Sequence, residues 1–384
     1  MIDVTVLLGL VIVVSLTFYA LLGGADYGGG VWDLLATGPT AERQRATIVH
    51  AIGPVWEANH VWLILAIVVL FTGFPRAFAS LSTFLHVPLL LVLIGIVMRG
   101  SAFVFRAYGP DHPGHERFWG RIFAMASTTT PLCLGVIVGA ITDGKLPAAA
   151  EGPFATVFIT PWLTPFSISV GVFALVLFAY LAAVYLTLEA HDPEERAAFR
   201  RRALMSGGAV GLLAGTVLVL AGPDVRGGLI ASSWAIPLHF ATGVSAVAGF
   251  ALLWVGEYGM ARIAAAAQVS LILWGWALAQ YPYAIRPHLT LAAAAAPQDV
   301  LIILLQVLGV GAAILLPSLL LLFRIFGPRG QQDRQALRRP RSYWRADAEA
   351  DIHARRRSRQ FLRNDPAESS RGEWIRTSDF PVSE

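Results

Sequence analysis

Two short stretches hold the ionisable side chains best placed to do chemistry. Residues 23–33 read GGADYGGGVWD and set Asp26 among five glycines. Glycines there permit a bend or a close backbone approach and leave room beside the carboxylate, a niche from which an acid can hand on protons. The same pattern also serves tight helix packing, with the acid solvated at a helix end. Residue types alone support both readings. Residues 53–62 read GPVWEANHVW, and Glu57 and His60, three apart, share a helix face and can exchange a proton. Arg45 and Glu57 are 12 residues apart, about 18 Å along a continuous helix. That length puts Glu57 inside the hydrocarbon of a membrane, where a carboxyl group can carry a proton. A competing reading starts a helix at Pro54 and leaves Glu57 in its first turn, favoured there by the helix dipole.

Other polar residues are harder to assign. Trp56 and Trp62 suit interfacial anchoring. Arg99 and Arg106 are seven apart on one helix face, and either snorkel to headgroups or pair with a carboxylate such as Asp26 or Glu57. Glu189 and Glu257 fall at span ends, where solvation is the simpler state. His86 and His239 have the chemistry of b-type haem ligands, although single histidines within membrane helices more often bond across helices. Walker, GxSxG, HExxH and dinucleotide motifs do not occur in a credible context.

The elements that must hold these groups are membrane helices. The 384 residues are 56% hydrophobic and 14% charged, against roughly a quarter charged in soluble domains. So little charge cannot coat a soluble protein of this composition, and the disordered, collagen-like and disulfide-rich classes are excluded too. Apolar runs long enough to cross a bilayer predict an all-α, polytopic membrane protein with about nine spans: 4–22, 49–73, 78–106, 118–141, 164–188, 203–222, 234–255, 258–281 and 300–325. Joining the seventh and eighth would make eight. The first span has no Lys or Arg before it and reads as a retained helix. Ten arginines lie in or beside the loops 1–2, 3–4, 5–6 and 7–8, against four bases on the opposite side. The positive-inside rule then predicts an outer N-terminus and a cytoplasmic C-terminus.

Residues 1–326 form the predicted transmembrane domain, with 16 bases balanced by 16 acids. Residues 327–384 hold 13 arginines and 9 acids without helical periodicity, which predicts a disordered cytoplasmic tail. The basic balance therefore sits in that tail, and nothing points to nucleic acid. A single cysteine, Cys133, rules out an intramolecular disulfide and a CxxC site.

GGADYGGGVWDLL, IGPVWEANHVWLI, VMRGSAFVFR and WGWALAQYPY, in that order over residues 1–326, resemble subunit II of the cytochrome bd-type quinol oxidases. The resemblance implies a haem-free, multi-pass subunit of the bacterial cytoplasmic membrane, paired with a larger subunit I. The partner would carry two b-type haems, a d-type haem or a variant, and the quinol site, and small accessory subunits can join. Such a complex oxidises quinol and reduces dioxygen to water with protons drawn from the cytoplasm. Subunit II would stabilise its partner and line proton and oxygen access routes. By resemblance, Asp26 is the acid of the first-helix glycine motif. Glu57 occupies a position where many members have Asp, and His60 one that is often Gln. Trp62 matches a tryptophan associated with oxygen entry and Arg99 a basic residue of the third helix. The expected relay is thus Asp26, Glu57 and His60, with Trp56, Asn59, Trp62 and Arg99 positioning those groups or lining access, and no metal on this chain. Two further readings are a secondary transporter with carboxylate coupling sites and a self-sufficient haem cytochrome using His86 and His239. Against the transporter, the glycine break and the acids gather in the first two spans without a later counterpart.

Overall fold

A computed structural model describes residues 3–38, 40–108 and 113–326, and within them not the side chains of 52–58, 107, 108, 113, 116, 316, 319 and 322–326. The expected tail, 327–384, lies outside the described residues. The chain divides into two compact units, residues 1–306 and 307–384, and the packing below belongs to the first. In the second, the described residues continue helix α13.

The described elements are almost all helical: α1 (Val4–Leu34), α2 (Ala41–Gly73), α3 (Pro75–Phe84), α4 (His86–Tyr108), α5 (Pro113–Asp143), α6 (Phe154–Phe158), α7 (Pro165–Glu189), α8 (Pro193–Leu220), α9 (Pro223–Ala231), α10 (Ala235–Val255), α11 (Tyr258–Gln280), α12 (Leu291–Ala294) and α13 (Gln298–Phe326). Two short strands, β1 (Tyr283–Ile285) and β2 (Leu289–Thr290), pair antiparallel before α12. Among the described residues, α1, α4, α5, α7, α8, α10, α11 and α13 are each long and apolar enough to cross a membrane. A ninth span arises if residues 59–73 of α2 count together with α3, bent by 113° from it.

Local chemistry explains the boundaries. Asp3 caps α1 by accepting from the Thr5 N–H at 3.0 Å, and Asp192 does the same for α8 through Glu194 at 2.9 Å. The predicted seventh and eighth spans are separate helices, α10 and α11, because Gly256 adopts a left-handed conformation (φ 85°) that ends α10. The predicted third span, 78–106, is instead divided at Leu85 into α3 and α4. Pro88 has no N–H for the Phe84 carbonyl and its ring crowds that carbonyl, which favours a break at this point. Glu189 and Glu257 are both exposed.

Helix α7 lies at the centre of the largest core cluster. Residues 177–184 are buried on every side, as expected of a helix apolar all round. Helix α1 packs against α7, α2 and α5, and its glycines let it do so. A Cβ on Gly28 would collide with the Phe178 carbonyl oxygen of α7, and one on Gly30 with the Ser127 side chain of α5. The glycine-rich stretch is therefore part of one continuous helix in close contact with its neighbours.

Candidate functional site

Asp26 is fully buried two turns before the end of α1, so it is neither at a helix end nor solvated. Its carboxylate Oδ1 forms an ion pair with Arg99 Nη2 of α4, also buried. Arg99 therefore does not snorkel; of the two carboxylates the sequence offered it, it pairs with Asp26. The guanidinium is held from three further directions. Its Nε donates to Ser127 Oγ at 3.0 Å, its Nη2 reaches the Asp26 main-chain oxygen at 3.4 Å, and its carbon lies 4.8 Å from the ring centres of both Tyr27 and Phe123. A charge removed from water needs such partners, and aromatic faces supply part of the compensation.

Asn59 of α2, fully buried, faces α1 where Gly23 leaves space: a Cβ on Gly23 would stand 2.8 Å from Asn59 Nδ2. The Asn59 amide and the His60 ring both lie close enough to act on the Asp26 carboxylate. Even so, Asp26 Oδ2, Arg99 Nη1 and both Asn59 amide atoms are buried without a hydrogen bond of normal geometry. Buried polar atoms are nearly always satisfied, often by water. His60 is half-buried. Trp62 stacks on Phe18 of α1, rings 4.3 Å apart and inclined by 18°.

The backbone of α2 is continuous from Ala41 to Gly73, so Glu57 lies well inside a helix rather than in a first turn begun by Pro54. Residues 41–53 extend the helix back with good helix formers such as Ala41, Glu42 and Gln44. The side chains of Trp56 and Glu57 lie outside the described residues. His86 Nδ1 bonds Thr83 O at 2.9 Å and its ring packs on Phe158, while His239 Nδ1 bonds Ala235 O at 2.6 Å. Each histidine is engaged within its own neighbourhood. Among the described residues no group of three or more His, Cys, Asp and Glu could hold a metal ion.

The structure adds residues the sequence reading did not single out. Asp33, the last residue of the glycine motif, is buried and lies 3.3 Å from Arg106 Nη1 and 3.7 Å from Arg45 Nε. Asp26 and Asp33 are seven apart, as are Arg99 and Arg106, so parallel α1 and α4 are joined by two matched ion-pair rungs. The equal spacing was a readable signal for the second rung. Ser127 gave none, being one hydroxyl among several on α5.

The chain is similar to several known proteins. A family model described as cytochrome bd terminal oxidase subunit II matches residues 4–326. The cytochrome bd ubiquinol oxidase subunit 2 of Bacillus subtilis is 28% identical over 167 residues, covering 44% of this chain and 48% of that protein. The putative cytochrome bd menaquinol oxidase subunit II of the same organism is 25% identical over 289 residues, 71% of this chain and 81% of that one. The cytochrome bd-I ubiquinol oxidase subunit 2 of Escherichia coli K12 is 27% identical over 183 residues, 47% of each chain. The chain thus spans about half the length of the first and third of these relatives. A solved structure, the bd oxidase from Geobacillus thermodenitrificans, superposes with a TM-score of 0.69 at 24% identity over 85% of this chain and 99% of that one. At that identity the match establishes a shared fold.

Proposed function

The chain belongs to the cytochrome bd terminal oxidase subunit II family, a multi-pass membrane family of bacterial respiratory oxidases, and from that premise we propose its part in the complex. It is the haem-free subunit of a quinol oxidase, paired with a haem-bearing subunit I that reduces dioxygen to water. In this reading it stabilises that partner and brings protons and oxygen to it. The haems belong to the partner, and electrons need not visit this chain. Its N-terminus faces outward, and residues 327–384 extend as a cytoplasmic tail beyond the transmembrane domain 1–326.

One observation carries the proton role: a fully buried carboxylate, Asp26, faces a cluster of buried polar atoms that protein groups leave unsatisfied. Buried polar atoms left without protein partners are commonly satisfied by water, and in this reading such water carries protons to and from Asp26. Asp26 and Glu57 are the proton-carrying groups, with His60 beside them as relay or tuner. Arg99 fixes Asp26 through the ion pair, and Asn59 orients the water between α1 and α2. Trp56 and Trp62 shape access, Trp62 through its stack on Phe18.

Glu57→Gln removes the titratable proton and nearly keeps the shape. In the purified complex, quinol-driven oxygen uptake should fall at least tenfold while haem content and partner retention stay unchanged. Normal turnover in Glu57→Gln would remove Glu57 from the relay.

A further inference from the structure

Asp33 stands in costly surroundings for a group that only ties two helices together. It lies in the last turn of α1, at the negative end of the helix dipole, where an acid is disfavoured. It is also buried, so it takes two arginines from two other helices to hold it. A neutral side chain would close the helix end at lower cost. Ionisable groups held in costly surroundings cluster at functional sites.

Exposure falls in steps along this face of α1. Arg45 is 38% exposed, Arg106 13%, Asp33 4%, and the Asp26–Arg99 pair 0% and 1%. The outer rung therefore reaches the surface of this chain through its arginines, whereas the inner rung does not. Between the rungs, Gly30 is the residue of α1 that carries no side chain toward α5, and the Ser127 hydroxyl occupies that place. Ser127 already accepts from Arg99 Nε, so its own O–H is free to donate. Pro131, four residues on, has no N–H to give to the Ser127 carbonyl, which loosens α5 at this level. Seven residues of helix separate the two carboxylates by about 10 Å, and the Ser127 hydroxyl lies at the level between them.

We propose that Asp33 is the group through which protons enter the Asp26 site, with the Ser127 hydroxyl as the step between them. A proton from solvent binds the Asp33 carboxylate as its hold on Arg45 and Arg106 loosens. It passes by way of water to Ser127, whose hydroxyl takes one proton and gives up another, and so reaches Asp26. The arginines stay charged throughout. Among the described residues, Arg45 from α2 and Arg106 from α4 face Asp33, and Arg202 of α8 lies over the neighbouring Trp32 ring at 5.2 Å. This assignment rests on the relay reading of Asp26.

The test uses the whole complex with Asp33→Asn, Asp33→Glu, Ser127→Ala and Asp26→Asn. Oxygen uptake is followed from pH 6 to pH 8, together with proton uptake by an indicator dye after a single turnover. With its entry group gone, Asp33→Asn should become limited by proton arrival, and its rate should fall toward tenfold for each pH unit. Asp33→Glu should recover most of the rate. An unchanged rate and pH profile in Asp33→Asn, with Asp26→Asn slow, overturns the entry role and leaves the relay standing. An unchanged Asp26→Asn removes the relay itself and this proposal with it. A uniformly slower Asp33→Asn with the unmodified pH profile makes Asp33 structural and also overturns the proposal. If Asp33→Asn fails to assemble, Ser127→Ala decides: a steepened pH profile supports the route, and an unmodified one overturns it.

Discussion

Removing the guanidinium of Arg99 should destabilise the protein far more than removing the carboxylate it pairs with. Arg99→Gln leaves Asp26 buried without its cationic partner, beside the Asn59 amide and the His60 ring. Breaking a buried ion pair from one side costs about 3–5 kcal/mol, roughly a hundred- to several-thousand-fold in the folded population. Asp26→Asn leaves Arg99 its bond to Ser127 at 3.0 Å, the main-chain oxygen of residue 26 and two aromatic faces at 4.8 Å. Its loss should therefore be smaller, about 1–3 kcal/mol. Combining the two substitutions removes both charges, so the double variant should be more stable than Arg99→Gln alone. The assay is the fraction of complex that keeps its partner subunit and visible absorbance after a fixed incubation at graded temperatures. A double variant no more stable than Arg99→Gln would refute the reasoning, because the stranded carboxylate would then not be the source of the damage.

Two further outcomes follow from packing. Gly28→Ala would drive a Cβ into the Phe178 main-chain oxygen, which cannot move aside as a flexible side chain would, whereas a Cβ on Gly211 of α8 meets nothing. The first should cost about 1–3 kcal/mol and lower the yield of assembled complex, while Gly211→Ala should leave that yield unchanged; equal yields would contradict the close approach of α1 to α7. If Trp62 shapes oxygen entry through its stack on Phe18, Trp62→Ala should raise the KM for oxygen severalfold with kcat little changed, and Trp62→Phe should keep the unmodified value.

Composition and apolar run length were enough to determine the class of this protein, because the cost of exposing polar backbone to lipid leaves helices as the economical way to bury so much apolar chain. They drew attention to Asp26 but ended the first apolar run at residue 22, leaving that acid at a helix end where the structure instead buries it within α1. Local rules went astray where a neighbouring residue outweighed them. Pro54 looked like a helix start, yet the helix-forming residues from Ala41 carry α2 through it; a long apolar run hid the break at Leu85, three residues before Pro88. The partner of Asp26 was decided only by the fold. The sequence offered Arg99 either Asp26 or Glu57, and spacing along one helix cannot say which neighbour another helix presents. That choice, the Ser127 hydroxyl at Gly30 and the convergence of Arg45 and Arg106 on Asp33 depend on how closely α1, α2, α4 and α5 approach. Helix spacing of this kind is set by side chains far apart in the chain packing against one another, and only the tertiary structure brings them together.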